Sequence, residues 1–192
     1  MTGPSDHAPI RRVVLVGFMA AGKSTVGRLL AQRLGWRFVD FDTEIEASAG
    51  RSIERIFAEE GEAAFRALEA ELTRHVAEEH DAVLAPGGGW ITQPALVRRL
   101  RDGSRMVWLR VSAQEAVRRA AADPIVRPLL EADDPLAEAR RLLAAREPQY
   151  ARADWIVDVD GRTPTDVARE ISERLEQGGV THPRLQDERG GA

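Results

Sequence analysis

The stretch VVLVGFMAAGKSTVG, residues 13–27, constrains the fold of this chain more than any other. Its first four residues are aliphatic and predict a buried strand. The segment GRLLAQRL, residues 27–34, continues from its last glycine and has the spacing of an amphipathic helix. Between them, Gly17 and Gly22-Lys23-Ser24 fit the pattern G-x-x-x-x-G-K-[ST]. Backbone N–H groups of such a loop, together with the N-terminus of the following helix, attract phosphate. The sequence therefore predicts a site for a nucleoside triphosphate.

Two side chains of this loop are suited to bind the phosphates and their metal ion. Lys23 has the length and charge to reach the β- and γ-phosphates, and the Ser24 hydroxyl suits the shell of a Mg²⁺ ion. A chance match in a glycine turn is the alternative, and the flanking strand and helix argue against it. The nucleotide contacts predicted from the loop are Ala20, Ala21, Gly22, Lys23, Ser24 and Thr25.

Five short apolar runs alternate with helical patterns along the chain. Their lack of strict alternation is typical of strands that are covered on both faces. We therefore predict an α/β protein: a P-loop NTPase-type three-layer fold with a five-stranded parallel sheet flanked by helices, plus lid and substrate-binding segments. Residues 11–177 are expected to form a single domain, with flexible ends at 1–10 and 178–192. The predicted strands are 13–16, 37–41, 82–85, 106–111 and 155–159.

Composition excludes several classes of function. The chain has no cysteine, which rules out disulfides and thiolate chemistry, and its 4 histidines are scattered without metal-binding spacing. The net charge of −4, without a long basic run, argues against a nucleic-acid partner. No apolar run approaches the roughly 20 residues of a membrane span, and no secretory segment is recognisable. We expect a cytoplasmic monomer without membrane or nucleic-acid partners.

An acidic pair, Asp40-Phe41-Asp42, lies at the end of the second predicted strand. In an extended segment, alternation would place both carboxylates on one side, at the sheet edge where α/β proteins bind ligands. One carboxylate could then order the waters of Mg²⁺ while the other accepts a proton from an attacking hydroxyl. The alternative is that the two residues cap the N-terminus of the next helix.

Two further stretches suggest an anion site. Arg66 follows Gly61, which is expected to break a long helical run into two helices; its alternative role is a surface ion pair with Glu62 or Glu69. After the third strand, Gly87-Gly88-Gly89 lets the backbone approach a ligand closely, unless it is only a flexible surface turn.

The second half of the chain adds more cations. An arginine such as Arg127, between the loop residues of DPIVRPLL, could close over phosphates as part of a lid at about 120–134. Arg146 ends a helix that starts near Asp134-Pro135, and its alternative role is to complement the negative end of that helix. Helix starts are also predicted at Ser112, by a capping box, and at Thr163-Pro164.

The combination of these stretches resembles the shikimate kinase family. GFMAAGKSTVG, DFD before TEIE, GRSIERIF, GEAAFR, APGGGW, VRPLL and REPQY occur in that order over about residues 11–175. A guanine-reading N-K-x-D is absent, which argues against a GTPase. The resemblance implies ATP-dependent, Mg²⁺-requiring phosphorylation of the 3-hydroxyl of shikimate.

The resemblance also implies roles for individual residues. Lys23, Asp42 and Arg127 would be catalytic, with Arg127 on the lid. Asp40 would order the Mg²⁺ shell through water, together with Ser24. Arg119 and Arg162, next to Pro164, would contact the adenine. Shikimate would be surrounded by Asp42, Arg66, Gly87, Gly88, Gly89 and Arg146, and the two arginines would hold its carboxylate.

Two residues depart from the family's usual pattern. Trp90 stands where a small or aliphatic residue is common, and either borders the acceptor pocket or packs in the core. Ala20 replaces a usual glycine, which should be tolerated if its backbone is ordinary. A kinase for another small acid such as gluconate, a nucleoside-monophosphate kinase and a non-catalytic nucleotide-binding regulatory module are the alternatives. Neither rival kinase accounts as well for both GEAAFR and REPQY.

Overall fold

Strands and helices alternate through the part of the chain that this computed structural model describes, residues 10–122 and 132–178. The strands are β1 (Arg12–Val16), β2 (Arg37–Asp40), β3 (Ala82–Ala85), β4 (Ser104–Arg110) and β5 (Trp155–Asp158). The helices are α1 (Lys23–Leu34), α2 (Phe41–Ala49), α3 (Ile53–Val76), α4 (Pro94–Arg101), α5 (Ala113–Ala121), α6 (Pro135–Tyr150) and α7 (Pro164–Gln177), with a 3₁₀ turn at Trp90–Thr92.

All strands pair in parallel, in the order β2-β3-β1-β4-β5. The predicted five-stranded parallel sheet is confirmed, although β2, β4 and β5 each end one residue earlier than the apolar runs suggested. Because the strands are parallel, the loops after β1, β2 and β3 leave the sheet at the same edge. That edge brings together the phosphate loop, the acidic pair and the triple glycine.

Alternate residues of the central strand face two different layers of helices. Val13 and Leu15 belong to a core shared with α1, α5 and α7, whereas Val14 and Val16 belong to a core shared with α4 and the 3₁₀ turn. All four side chains are buried. Helices on both faces explain why the strand lacks a polar face, and they confirm the three-layer prediction.

The predicted helix starts hold, with one difference in detail. Thr163 and Asp134 cap α7 and α6, and the Ser112 side chain accepts a hydrogen bond from the N–H of Glu115. The return half of the capping box is replaced, since the N–H of Ser112 donates to Asp160 instead. The Glu115 carboxylate is engaged by two arginines.

A kink at Gly61 divides α3, as the sequence indicated. The residue has φ 79° and ψ 178°, a backbone conformation that favours glycine. The kinked helix packs on α2 around a small separate core of Ile45, Ile56 and Phe65. Among the helices of the described ranges, none has the length and hydropathy to cross a membrane.

Candidate active site

The phosphate loop follows β1 closely and ends at the first residue of α1. A Cβ on Gly17 would lie 2.6 Å from the carbonyl oxygen of Leu109, so the position has room only for glycine. Gly22, at the N-cap, has φ 89°. The Nζ of Lys23 donates to the carbonyl oxygens of Gly17 (3.1 Å) and Phe18 (3.2 Å). The ammonium group thus lies at the loop, beside the positive end of α1.

The backbone of Ala20 is not ordinary. Its φ is 57°, in the left-handed region that an L-residue with a Cβ adopts at a cost of about 1–2 kcal/mol. Alanine should be tolerated at this position only if its backbone is ordinary, and that condition is not met. Glycine would adopt the same conformation without that strain.

A pocket of 420 Å³ opens beside the loop. Its walls come from the loop and from α5 and the start of α7. Six residues predicted to contact ATP line it: Ala20, Ala21, Gly22, Thr25, Arg119 and Arg162; Pro164 also lines it.

Arg119 fixes the geometry of this pocket. Its Nη2 donates to the carbonyl oxygen of Val159 (2.7 Å) and its Nη1 to that of Ala20 (3.4 Å), joining the end of β5 to the phosphate loop. Its Nε donates to Glu115 (2.6 Å). Hydrogen bonds from Arg118 and Arg119 lower the pKa of Glu115 to about 2. The carboxylate stays ionised at neutral pH and holds both arginines on one face of α5.

The acidic pair adopts a different geometry from the predicted one. The helix α2 begins at Phe41, so Asp40 and Asp42 are not alternating residues of a strand. Oδ1 of Asp40 accepts from the N–H of Asp42 (3.2 Å) and of Thr43 (3.5 Å), which makes Asp40 the N-cap. Capping by Asp40 satisfies donors that begin α2 and displaces the extended conformation. Asp42 lies in the first helical turn.

The triple glycine lies between the two predicted carboxylate-binding arginines. A Cβ on Gly89 would lie 2.8 Å from Nη2 of Arg66, and one on Gly88 would lie 3.7 Å from Nη1 of Arg146. Since a side chain here would strike Arg66, the glycine lets the guanidinium approach the backbone. The structure thus brings together residues from α3, the loop after β3 and α6.

Arg66 is held by two carboxylates, as its alternative role suggested. It donates to Glu62 through Nε (3.1 Å) and Nη2 (2.9 Å), and to Glu69 through Nη1 (2.5 Å). Both Glu69 and its other donor, Gln93 at 2.8 Å, were assigned no role in the site from the sequence. The spacing of Phe65, Glu69 and Val76 places this carboxylate on the buried stripe of α3, a signal that the sequence carried.

Glu69 is a buried carboxylate with one oxygen unsatisfied. Its Oε1 has no hydrogen-bond partner in the described ranges. A Cβ on Gly87 would lie 3.4 Å from this oxygen and 3.3 Å from Oδ1 of Asp42, so the two acidic side chains flank the same glycine. Burial raises the pKa of Glu69, more than the hydrogen bonds from Arg66 and Gln93 lower it.

The helix α6 contributes to the acceptor side of the site, which is separate from the 420 Å³ pocket. Arg146 lies with its guanidinium carbon 6.0 Å from the centre of the Phe18 ring. One turn later, the Tyr150 hydroxyl donates to the carbonyl oxygen of Gly88 (2.8 Å). The tyrosine ring is buried and stacked on Trp108, with ring centres 5.7 Å apart.

Trp90 packs in the core, which was one of its two predicted roles. Its side chain is 0% exposed, and its Nε1 donates to the Thr73 hydroxyl at 3.0 Å. The ring meets Phe41 edge to face. A border position in the acceptor pocket was wrong, because Thr73 on the buried face of α3 gives the indole N–H the polar partner it requires.

The predicted lid lies largely beyond the residues that the structure describes. Arg127 and most of the lid at 120–134 fall outside the described ranges. Within 10–122 and 132–178, no three acidic or histidine side chains form a cluster that could hold a metal ion by themselves. Any Mg²⁺ here would take most of its ligands from phosphates and water, as this ion commonly does.

Comparison with known proteins agrees with this arrangement. The sequence model of the shikimate kinase family matches residues 19–176. The chain is 47% identical to the shikimate kinase of Moorella thermoacetica over 163 residues, covering 85% of this chain and 93% of the relative. It is also 47% identical to that of Mycobacterium avium over 165 residues, covering 85% and 93%.

Solved structures give the same result. A shikimate kinase from Acinetobacter baumannii in complex with shikimate superposes with a TM-score of 0.83 at 35% identity, covering 90% of this chain and 96% of that one. The Aquifex aeolicus enzyme gives 0.77 at 34%, covering 88% and 98%. A gluconokinase from Sinorhizobium meliloti, at 0.60 and 17% identity over 94% and 98%, shares the fold alone. With its family-wide match and these relatives, the chain belongs to the shikimate kinase family.

Proposed function

We propose that the protein transfers the γ-phosphoryl group of ATP to the 3-hydroxyl of shikimate, giving shikimate 3-phosphate and ADP. The observation that carries this proposal is the closeness of the two halves of the site. A Cβ on Gly88 would lie 3.4 Å from the carbonyl oxygen of Gly17 and 3.6 Å from the N–H nitrogen of Met19. The acceptor loop therefore runs within one methyl group of the phosphate loop, as direct transfer requires.

The carboxylate of shikimate is assigned to Arg66 and Arg146. Two guanidinium groups beside the triple glycine offer planar, bidentate recognition of a carboxylate. They lie in a chain whose net charge is −4, so they are a local feature and not part of a broad basic surface. Gluconate also carries a carboxylate, and the family membership favours shikimate over it.

Asp42 is assigned the role of general base. It takes the proton of the 3-hydroxyl as that oxygen attacks the γ-phosphorus, and the bond from the phosphorus to the β,γ-bridging oxygen breaks. Its place in the first turn of α2, across Gly87 from the buried Glu69, directs it to the acceptor side. The bond electrons leave with ADP.

Charge neutralisation is assigned to Lys23 and Arg127. Lys23 exchanges its carbonyl partners for the β- and γ-phosphates when ATP binds. Arg127, which lies outside the described residues, is assigned the same role toward the transferring group. Both cations act most strongly as charge moves toward the leaving oxygen.

The donor set also suits Mg²⁺. Ser24 offers a hydroxyl at the first turn of α1, and Asp40 uses Oδ1 as a cap. A hydroxyl and one carboxylate match an ion that keeps several waters and binds phosphates. When bound, Mg²⁺ would neutralise phosphate charge, with Ser24 as a ligand and Asp40 ordering its water.

A coupled assay of ADP release tests this function. Purified protein with ATP and Mg²⁺ should turn over shikimate, and should show little turnover with gluconate or nucleoside monophosphates. Lys23→Ala should fold and lower kcat by roughly 10²–10³-fold, the usual effect of removing one transition-state stabiliser. If gluconate is turned over in preference to shikimate, gluconate is the substrate. ATP binding without any turnover would favour the non-catalytic regulatory module.

We also propose that the enzyme is a cytoplasmic monomer. All residues assigned to shikimate and ATP come from one chain, so a second subunit has no assigned part in the reaction. Light scattering at the assay concentration should give a mass near 21.2 kDa. A dimer whose dissociation abolishes turnover would contradict this proposal.

A further inference from the structure

The carbonyl groups of the triple glycine all point at donors of the protein. The donors to the two outer carbonyls are local, within the turn that follows the triplet. The donor to the middle carbonyl instead comes from α6, 62 positions away in sequence. The bonds are Trp90 N–H to Gly87 (3.0 Å), Tyr150 hydroxyl to Gly88 (2.8 Å), and Thr92 N–H (3.1 Å) and hydroxyl (2.7 Å) to Gly89.

Fixing a carbonyl also fixes the N–H of the same peptide unit. In a planar trans peptide the two groups point in opposite directions. The Tyr150 bond to the Gly88 carbonyl therefore directs the N–H of Gly89 away from Tyr150. In the described part of the chain, the N–H groups of Gly88 and Gly89 donate to no protein acceptor. Successive N–H groups of this kind form a concavity that binds anions.

A peptide between two glycines needs such a restraint. Without Cβ atoms, both residues reach backbone conformations that other residues avoid, so the Gly88–Gly89 peptide can turn over at little cost. Turning it over would exchange the N–H for the carbonyl oxygen and present negative charge to an anion. A single hydrogen bond from a rigid donor favours one of the two orientations.

Tyr150 is suited to be that donor. Its ring is fully buried and stacked on Trp108, which fixes where the hydroxyl lies. Burial raises its pKa to about 12, and hydrogen bonding with Arg146 lowers it only in part. The hydroxyl therefore remains protonated at any ordinary pH. It donates to the Gly88 carbonyl, and the nearby positive charge of Arg146 acts on the same hydroxyl.

We infer that Tyr150 is a positioning residue for the acceptor substrate. Its hydroxyl holds the Gly88–Gly89 peptide so that the Gly89 N–H faces the carboxylate that Arg66 and Arg146 bind. This inference rests on the proposed function. One buried hydroxyl thus aligns the Gly89 N–H with the guanidinium groups of Arg66 and Arg146.

The test is Tyr150→Phe, which keeps the ring and removes the hydroxyl. By calorimetric titration, the Kd for shikimate should rise about fivefold, or about 1 kcal/mol, the usual net worth of one hydrogen bond. The Kd for ATP and the kcat at saturating shikimate should stay within about twofold. Methyl shikimate, whose ester has no charge, should bind the variant and the wild type about equally.

Thr73→Val is the matched control. It also removes a buried hydroxyl near the triple glycine, the partner of the Trp90 indole, but it leaves the Gly88 carbonyl bonded. Its Kd for shikimate should equal that of the wild type. Equal weakening of shikimate and methyl shikimate by Tyr150→Phe, or equal weakening of shikimate by both variants, would reduce Tyr150 to a packing residue.

A measurement on the wild type covers the case of a variant that does not fold. With ¹⁵N-glycine labelling, the Gly89 amide proton should move downfield on addition of shikimate and little on addition of methyl shikimate. A Gly89 amide that ignores shikimate overturns the inference. If the wild type turns over shikimate but Tyr150→Phe keeps the wild-type Kd, the inference alone fails. If the wild type does not turn over shikimate, the proposed function fails with it.

Discussion

The acceptor site around the triple glycine has two walls, one from α3 and one from α6, and they hold their arginines in different ways. On the α3 wall, formed by Arg66 and Glu69, the guanidinium lies between two carboxylates, and one of them is 0% exposed. On the α6 wall, formed by Arg146 and Tyr150, no carboxylate of the described ranges lies within ion-pair distance of the guanidinium. Two residues assigned to the same ligand group thus have different structural duties.

The difference follows from the cost of burying a charge. Glu69 loses its hydration, and hydrogen bonds from Arg66 and Gln93 offset part of the cost of burying its charge. Arg66 therefore stabilises the fold whether or not substrate is present. Arg146 lies near the Phe18 ring and influences the Tyr150 hydroxyl, and within the described residues no carboxylate pairs with its charge. The walls should respond differently when each arginine is removed.

Arg66→Ala should have the largest effect, because it damages both binding and stability. The KM for shikimate should rise roughly ten- to hundredfold, since a hydrogen bond to a charged group is worth about 1.5–3 kcal/mol. The free energy of unfolding should fall by about 2 kcal/mol. That is less than the roughly 3–5 kcal/mol of fully buried pairs, because the Arg66 side chain is 27% exposed. Steady-state kinetics and chemical unfolding measure the two effects. Unchanged stability would contradict the account of the α3 wall.

The pH dependence of that stability loss sharpens the comparison. A carboxyl whose pKa is higher in the folded protein favours folding below its unfolded pKa, and this contribution is lost as the pH rises through the folded pKa. Burial raises the pKa of Glu69, and Arg66→Ala removes the group that opposes this rise. The stability deficit of the variant should therefore grow as the pH rises above the ordinary 4.5.

The double variant Arg66→Ala/Glu69→Gln is the control for that prediction. An amide in place of the carboxylate removes the buried charge, so the growing deficit at higher pH should disappear. A deficit that grows equally with pH in both variants would assign it to another group, such as Glu62.

Arg146→Ala should affect binding alone. The KM for shikimate should rise roughly ten- to hundredfold, as for Arg66, but the free energy of unfolding without ligand should change by less than about 0.5 kcal/mol, as at sites without a buried partner. The Kd for ATP should be unchanged. Equal loss of stability in Arg146→Ala and Arg66→Ala would erase the distinction between the two walls.

The smallest effect is expected for Arg146→Lys. An ammonium group keeps the charge but lacks the planar fork that binds a carboxylate through two hydrogen bonds. The KM for shikimate should lie between those of the wild type and Arg146→Ala. A lysine variant with the wild-type KM would mean that charge alone, without bidentate geometry, is recognised at the α6 wall.

Most of the framework could be predicted from the sequence because its signals are local. The strand and glycine pattern around Lys23, the apolar runs and the caps at Ser112 and Thr163 are each contained in a few consecutive residues. The geometry at Asp40 was mistaken for the same reason. Extended alternation and helix capping compete over three residues, and the capping bonds to the next two N–H groups decided for the helix.

What the sequence could not give was the pairing of distant residues. Glu69 looks like one more carboxylate on a charged helix, and only its place on the buried stripe hints at its role. The local sequence around Tyr150 carries no signal of a function, because its bond to Gly88 spans 62 positions. The 420 Å³ pocket likewise depends on Arg119 reaching both the end of β5 and the phosphate loop, which no local pattern encodes.

The central claim is that Arg66 and Arg146, one from each wall, bind the same carboxylate of shikimate. Titration of shikimate and methyl shikimate tests it most directly. The wild type should bind shikimate at least roughly tenfold more tightly than the uncharged ester, since charged hydrogen bonds are lost. Arg66→Ala and Arg146→Ala should each lose most of that preference, because the charge of the ligand then has one partner fewer. If both variants bind shikimate more weakly yet keep the full wild-type preference over the ester, the arginines do not hold the carboxylate and the account is wrong.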